Sequence, residues 1–409
     1  MTQRASWLHF LIETHVDAQT LTPKLRQTLA DLDNLLFDAW DLGDNIILVW
    51  TRDHAEHRFL AIRHYALIEA FPAGTVPVGT AGGKDAFVNR ILSASKFVTP
   101  PQFERIREAL GSAAQVLRVN LLAPEAPVPA LVTRLVTRYG VSLVSERAVV
   151  LLDIVGFSLR SPLEQMAMLN SVSYSVNSAY RKLLSKDIQI SFARTTTGDG
   201  FYIWNRAKTV QANLALYKLM MLILADNAVA HQKAKTFPVP RLRAAFHIGE
   251  HYEFYQVEAL NPTTFAYIVG HVTIELARMI GKALPGQIVI GDFNIELHDE
   301  KTDQNVRYDT REFIDKTAGT LDELRGLTLG SHRIEKIRCY LTGQPAADGV
   351  FRVNRYKIQD KHGLDRIVYN AKINLHRQQA EPIFLGIQHA DLHSPGAAAA
   401  AGAWSEAVA

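Results

Sequence analysis

The chain has one cysteine, Cys339, in 409 residues. That excludes an intramolecular disulfide and a cysteine-rich zinc site, and it suits a reducing cytoplasmic setting. A surplus of charge is missing too. Against 41 Asp and Glu stand 44 Lys and Arg, and a net charge of +3 is too small to argue for DNA or RNA as a partner. There is no long uninterrupted apolar run: the most apolar helical candidate, Leu214 to Ala230, is broken by Lys218 and Asp226, so no membrane span is expected. The N-terminal patch Trp7-Leu8-His9-Phe10-Leu11-Ile12 is interrupted by histidine and followed by Glu13, so it fails as a secretion signal. What remains, 48% hydrophobic and 21% charged residues, is the composition of a globular protein long enough for roughly two or three domains.

Strand-like runs at Ile46–Trp50 and Val116–Leu122 among helical patterns predict an N-terminal α+β domain over 1–130. The stretch Ala123-Pro124-Glu125-Ala126-Pro127-Val128-Pro129 cannot continue a helix or a central strand and marks its end. Ala148–Ile154 reads as a strand buried on both faces. Ser161-Pro162-Leu163-Glu164 supplies an N-cap, a proline at the first helical position and a glutamate at N3. Leu163, Met166, Leu169, Val172, Val176 and Leu183 continue that helix. Strands at Ile188–Arg194 and Phe201–Trp204 around Gly198-Asp199-Gly200 follow, then a helix over Lys208–Lys235 and a strand at Leu242–Ile248. This βαββαβ order predicts a ferredoxin-like α+β sheet within a domain over 140–292. In it the first and third strands are antiparallel neighbours, so Asp153 and Asp199 should lie side by side. Strand material at Phe265–Val269, a helix at Thr273–Ala283 and a strand at Gln287–Ile290 complete that domain. A β-rich region over 293–390 is expected next, with a helix near Thr310–Leu327, strands at Ile334–Leu341, Phe351–Ile358, Ile367–His376 and Pro382–Gln388, and a turn at Asp360-Lys361-His362-Gly363. The alanine-rich tail, 391–409, is expected to be disordered.

Two carboxylates where apolar strands meet glycine turns are the usual equipment for holding divalent cations against a nucleoside triphosphate. The glycine-containing loop between Asp153 and the Ser161 cap can offer backbone N–H groups to phosphates. Two other patterns fail. His247-Ile248-Gly249-Glu250-His251 has the order of an inverted zinc-peptidase motif, but it ends a strand and carries a central glycine. Gly82-Gly83-Lys84 lacks the first glycine and the hydroxyl residue of a phosphate-binding loop.

On Leu152-Asp153-Ile154-Val155-Gly156-Phe157-Ser158, Gly198-Asp199-Gly200, His247-Ile248-Gly249-Glu250, Arg278 and Pro285-Gly286-Gln287-Ile288, residues 147 to 291 resemble a class III nucleotidyl cyclase catalytic domain. The resemblance implies two Mg²⁺ or Mn²⁺ ions on Asp153, Asp199 and the Ile154 carbonyl, and phosphate contacts from Val155, Gly156, Phe157 and Ser158. It also implies a homodimer with composite sites, in which Arg278 stabilises the transition state across the interface. Where adenine-specific members carry lysine the chain has Thr195, where they carry aspartate it has Tyr267, and the transition-state asparagine falls on Ile274. Thr195, adjacent Arg194 and the bulky Tyr267 suit a smaller base. That combination resembles the pyrimidine cyclases of the Pycsar antiphage system, and Tyr369-Asn370-Ala371-Lys372-Ile373-Asn374 looks similar to a sensor domain in such cyclases. The implied activity is conversion of UTP to 3′,5′-cyclic UMP and pyrophosphate in the cytoplasm, the product being read by a separate cyclic-nucleotide-responsive effector in antiphage defence. A cytidylate cyclase, a purine cyclase and a degenerate nucleotide-binding sensor are the alternatives.

Overall fold

The computed structural model describes residues 22–54, 56–69, 83–120, 128–234, 239–257, 264–344, 352–359, 363–392 and 404–406. The apolar N-terminal patch, Gly82, most of the proline-rich stretch, Asp360 to His362 and most of the tail lie outside them. By internal contacts the chain divides into one unit of residues 1–145 and 251–268 and a second of 146–250 and 269–409.

In the first unit, α1 (Pro23–Trp40), α2 (Gly83–Ser93), α3 (Pro100–Leu110) and α4 (Val128–Arg138) accompany an antiparallel sheet of β1 (Asn45–Asp53), β2 (Glu56–Arg63) and β3 (Ala114–Asn120). Strand alternation sends residues to two cores. Ile47, Trp50 and Phe59 pack with Leu29, Leu36, Leu135 and Val136 of α1 and α4, while Leu48, Leu60 and Ile62 pack with Phe87, Ile91, Phe103 and Ile106 of α2 and α3.

Lys96 is buried here, its ammonium donating to the Val141 carbonyl at 2.6 Å, and burial pulls its pKa from 10.5 to about 8. The unfolded chain therefore binds the extra proton between those values, and stability rises with pH across that window. We expect the wild type to gain up to ~3 kcal/mol on Lys96→Met between pH 8 and 10.5. Urea titrations at several pH values, followed by tryptophan fluorescence, check this, and parallel curves for the two proteins would refute it.

The second unit carries the predicted βαββαβ. Its elements are β4 (Val141–Ile154, counted here from Glu146), α5 (Pro162–Leu184), β5 (Phe192–Thr196), β6 (Gly200–Asn205), α6 (Val210–Lys233) and β7 (Leu242–Val257, counted here to Glu250). The strand order β7-β4-β6-β5 is the ferredoxin-like one, with β4 and β6 antiparallel. Ala148, Val150, Leu152 and Ile154 of β4 form a core with Met168, Val172, Val176, Ala179 and Leu183 of α5 and with most of α6. The expected stripe on α5 is corrected at its start: Leu163 and Met166 are exposed, because the buried face begins at Met168. Helix α6 is long and apolar enough to cross a membrane, but 78% of its most apolar window is buried within the chain, as in a core helix.

Beyond β7 come β8 (Thr264–Val269), α7 (His271–Ile280) and β9 (Ile288–Gly291), the last parallel to β7. A hairpin of β10 (Asn294–Asp299) and β11 (Gln304–Asp309), not anticipated from the sequence, precedes α8 (Thr310–Ala318). The C-terminal strands do not form a sheet of their own. After β12 (Thr328–Leu329) come β13 (His332–Leu341), β14 (Tyr356–Gln359), β15 (Asp365–Arg377) and β16 (Ala380–Leu385), and β15 pairs antiparallel with β9 so that the sheet continues β12-β13-β15-β9-β7. A buried amide chain crosses this junction: Gln287 Nε2 donates to Asn370 Oδ1 at 3.0 Å, and Asn370 Nδ2 donates to Thr342 Oγ1 at 2.8 Å and to the Ile387 carbonyl at 2.9 Å. The expected disorder of the tail is corrected at 404–406. Trp404 is buried edge-on against Tyr356, its indole N–H donating to the Lys282 carbonyl at 3.1 Å, and β17 (Ser405–Glu406) pairs with β14.

Candidate functional site

Alternation along β4 sets the site's geometry. Since Leu152 and Ile154 enter the helix-packed core, Asp153 projects from the opposite face of the sheet. The register pairs Leu152 with Phe201 and Asp153 with Gly200, and the Ile154 N–H donates to the Asp199 carbonyl at 2.9 Å. The two aspartates thus stand side by side, as the topology required. Each glycine around Asp199 has its own reason. Gly198 sits at φ +97°, which L side chains rarely adopt; a Cβ on Gly200 would lie 1.9 Å from the Leu152 carbonyl oxygen, so only glycine lets β6 approach β4 closely enough.

Asp153 is buried and Asp199 exposed. Burial holds the Asp153 carboxyl above its usual range; Arg243 pulls it down, and the charge of Asp199 pushes it up again. Arg243 Nε donates to Asp153 Oδ2 at 2.6 Å and its Nη1 to the Ala283 carbonyl at 3.0 Å, tying Asp153 to the turn after α7. Asp199 Oδ1 accepts from Thr197 Oγ1 at 3.2 Å. Partial burial and mutual repulsion are what a divalent cation between two carboxylates relieves, so the pair suits such an ion. Among the described residues no cluster of three or more His, Cys, Asp or Glu could hold a metal. A cation would therefore rest on these two side chains and backbone oxygen. The His247 to His251 segment lies in β7, where no helix brings its histidines together.

The following loop turns through Gly156 at φ +69° into a single 3₁₀ turn, Phe157–Leu159. The Val155 N–H is committed to the Arg241 carbonyl at 2.9 Å, which leaves Gly156, Phe157 and Ser158 at the open start of the turn. Gln165 Nε2 donates to the carbonyls of Phe157 at 3.2 Å and Arg160 at 3.1 Å. The expected capping box at Ser161 is present: its hydroxyl accepts from the Glu164 N–H, and Glu164 accepts from the Ser161 N–H. Arg243 and Gln165 were not found from the sequence. The only trace of Arg243 there is a polar residue inside an apolar strand, and Gln165 carries no local signal.

Arg194 and Thr195 are successive residues of β5 and point to opposite faces. Thr195 pairs with Tyr202 and shares the face of Asp153, while the Arg194 guanidinium lies 5.7 Å from the Phe201 ring centroid, on the core-facing side. The structure therefore separates this expected base-reading pair. It does so because β5 runs through Thr196 rather than ending at Arg194. Tyr202 donates its hydroxyl to the Thr273 carbonyl at 3.0 Å, anchoring the start of α7. Arg278 stands in the last turn of α7, and Ile274 is 50% exposed on the same helix. Tyr267 belongs to the first unit, its ring stacked on Phe254 at 5.8 Å.

No protein-family model matches the chain. No curated protein matches it either. Among solved structures it is similar to the adenylyl cyclase CyaB from P. aeruginosa, with 13% identity over 56% of this chain and 95% of that one and a TM-score of 0.32. It is likewise similar to the guanylate cyclase domain of RhGC from Catenaria anguillulae in complex with GTP, at 13% identity over 58% of this chain and 100% of that one, TM-score 0.33. A bacterial light-regulated adenylyl cyclase matches at 14% identity over 43% of this chain and 99% of that one, TM-score 0.28.

Proposed function

We propose that the chain is a nucleotide cyclase that converts UTP to 3′,5′-cyclic UMP and pyrophosphate. One observation carries this reading: Asp153 at the end of β4 stands beside Asp199 at the turn into β6, with Thr195 on the face of Asp153 and a turn with open N–H groups following. Two divalent ions, Mg²⁺ or Mn²⁺, held by Asp153, Asp199 and the Ile154 carbonyl would supply activation of the ribose 3′-hydroxyl and charge neutralisation at the triphosphate. The chain's own contribution is positioning. Arg243 fixes one oxygen of Asp153 and leaves the other free, and Gly156, Phe157 and Ser158 offer N–H groups to the β- and γ-phosphates. The 3′-oxygen gives up its proton to solvent water and bonds to the α-phosphorus. The bond from that phosphorus to the bridging oxygen breaks, and pyrophosphate leaves with the electron pair. Because ring closure is intramolecular, holding the nucleotide in the attack conformer supplies much of the acceleration. Arg278, from the partner subunit of a homodimer, would offset charge in the transition state, while Thr195 would contribute to selecting the smaller base. On the resemblance noted above, the product would serve as a second messenger in antiphage defence, read by a separate effector.

Incubation of the pure protein with each of the four ribonucleoside triphosphates and Mn²⁺ tests this, and cyclic UMP is the expected main product. Predominant cyclic CMP would reassign the base, and cyclic AMP or cyclic GMP would refute the pyrimidine reading. No cyclic product from any triphosphate would favour a nucleotide-binding module without turnover, the reading that an exposed Ile274 at the asparagine position supports.

A further inference from the structure

A second recess in the same unit is used by nothing in the proposed reaction. It has a volume of about 370 Å³ and is lined, among others, by Leu224, Asn227, Ala228 and His231 of α6, by Arg241 before β7, and by Phe384 of β16. That volume is in the range of small-molecule sites. Asn227 is 6% exposed, and its Nδ2 is buried without a hydrogen-bond partner. Its neighbour Asp226 does not line the recess, and its Oδ1 accepts from Ser178 and Lys182. Leaving a buried amide unpaired is unfavourable, so a group that meets it is favoured; an amide can turn to present either its donor or its acceptor. Among the described residues no acidic side chain lines the recess and none forms an ion pair with Arg241, and the Phe384 ring is 60% exposed.

From an apolar wall, an exposed ring, one unsatisfied amide and uncompensated positive charge, we infer that this recess binds a planar heterocycle carrying one negative charge. The ring lies against Phe384 and the α6 side chains, its amide-like edge meets Asn227, and its anionic group faces Arg241 and His231. Two sources share that chemistry, a heterocyclic carboxylate and a cyclic mononucleotide. The second rests on the cyclase reading and the first does not.

Isothermal titration of the full chain with orotate and, separately, with cyclic UMP distinguishes the sources, with uridine as the uncharged control. At least one anionic probe is expected to bind, and uridine at least tenfold more weakly. Asn227→Leu, which removes the amide at similar volume, and Ala228→Trp, which fills the recess, should each weaken binding tenfold or more. Circular dichroism confirms which variants fold, and either folded variant suffices. The inference is overturned if neither anion binds the wild type, if uridine binds equally well, or if a folded variant binds like the wild type. The last outcome also covers cyclic UMP held only at the aspartate site. Turnover of the triphosphates is measured separately, so failure of the cyclase reading and failure of this one cannot be confused.

Discussion

An Asp153→Asn variant is expected to lose the proposed cyclase activity by a factor of ~10³ or more while folding normally, since a cation held by that carboxylate would supply several kcal/mol. Asparagine keeps the volume and an oxygen to accept the Arg243 bond, so the link to Ala283 can persist. What goes is the charge. In the absence of a cation that charge is unfavourable, because burial and Asp199 raise the Asp153 pKa. The folded state then binds more protons than the unfolded one just above the ordinary carboxyl range, and stability falls as pH rises through that window. The asparagine variant should lack that fall and be at least as stable as the wild type near neutrality. Added Mn²⁺ should raise the melting temperature of the wild type and not of the variant. Unchanged turnover, or equal Mn²⁺ stabilisation of both proteins, would sink the two-carboxylate site.

The second large effect is structural. Gly200→Ala should destabilise the second unit by ~3 kcal/mol or more, because the added methyl meets the Leu152 carbonyl at 1.9 Å and backbone cannot yield as a side-chain tip can. Gly198→Ala is the informative comparison. There the surroundings are open and only the positive φ is strained, at a cost of about 1–2 kcal/mol. Urea midpoints of the two variants should therefore rank Gly200→Ala well below Gly198→Ala, and the reverse ranking would contradict the strand register. Activity of Gly200→Ala should fall further than its folded fraction explains, since any strand separation moves Asp199 away from Asp153.

Local chemistry made the centre of the site legible. Strand, cap and glycine signals around Asp153, Ser161 and Asp199 are short-range, and the βαββαβ order converts them into a spatial pair. Errors arose where a shift of one or two residues changes the face. Extending β5 to Thr196 leaves Arg194 and Thr195 on opposite sides, and starting the buried stripe of α5 at Met168 exposes Leu163 and Met166. Partners far apart in sequence were not legible at all. Neither the bond between Arg243 and Asp153 nor the pairing of β15 with β9 leaves a periodic trace, and the alanine-rich tail conceals the single large side chain, Trp404, that docks it.

That β9 is held between β7 and β15 bears on how this protein can be cut. A chain ending after Gly291 would keep every residue assigned to the reaction, yet would bare the hydrogen-bonding edge of β9 and leave the Gln287 amide without Asn370. Such an edge recruits other strands. The reacting half is therefore not a portable cassette: excised alone it should come out of expression as aggregate, and swaps with other proteins should place the joint after β17 rather than after β9.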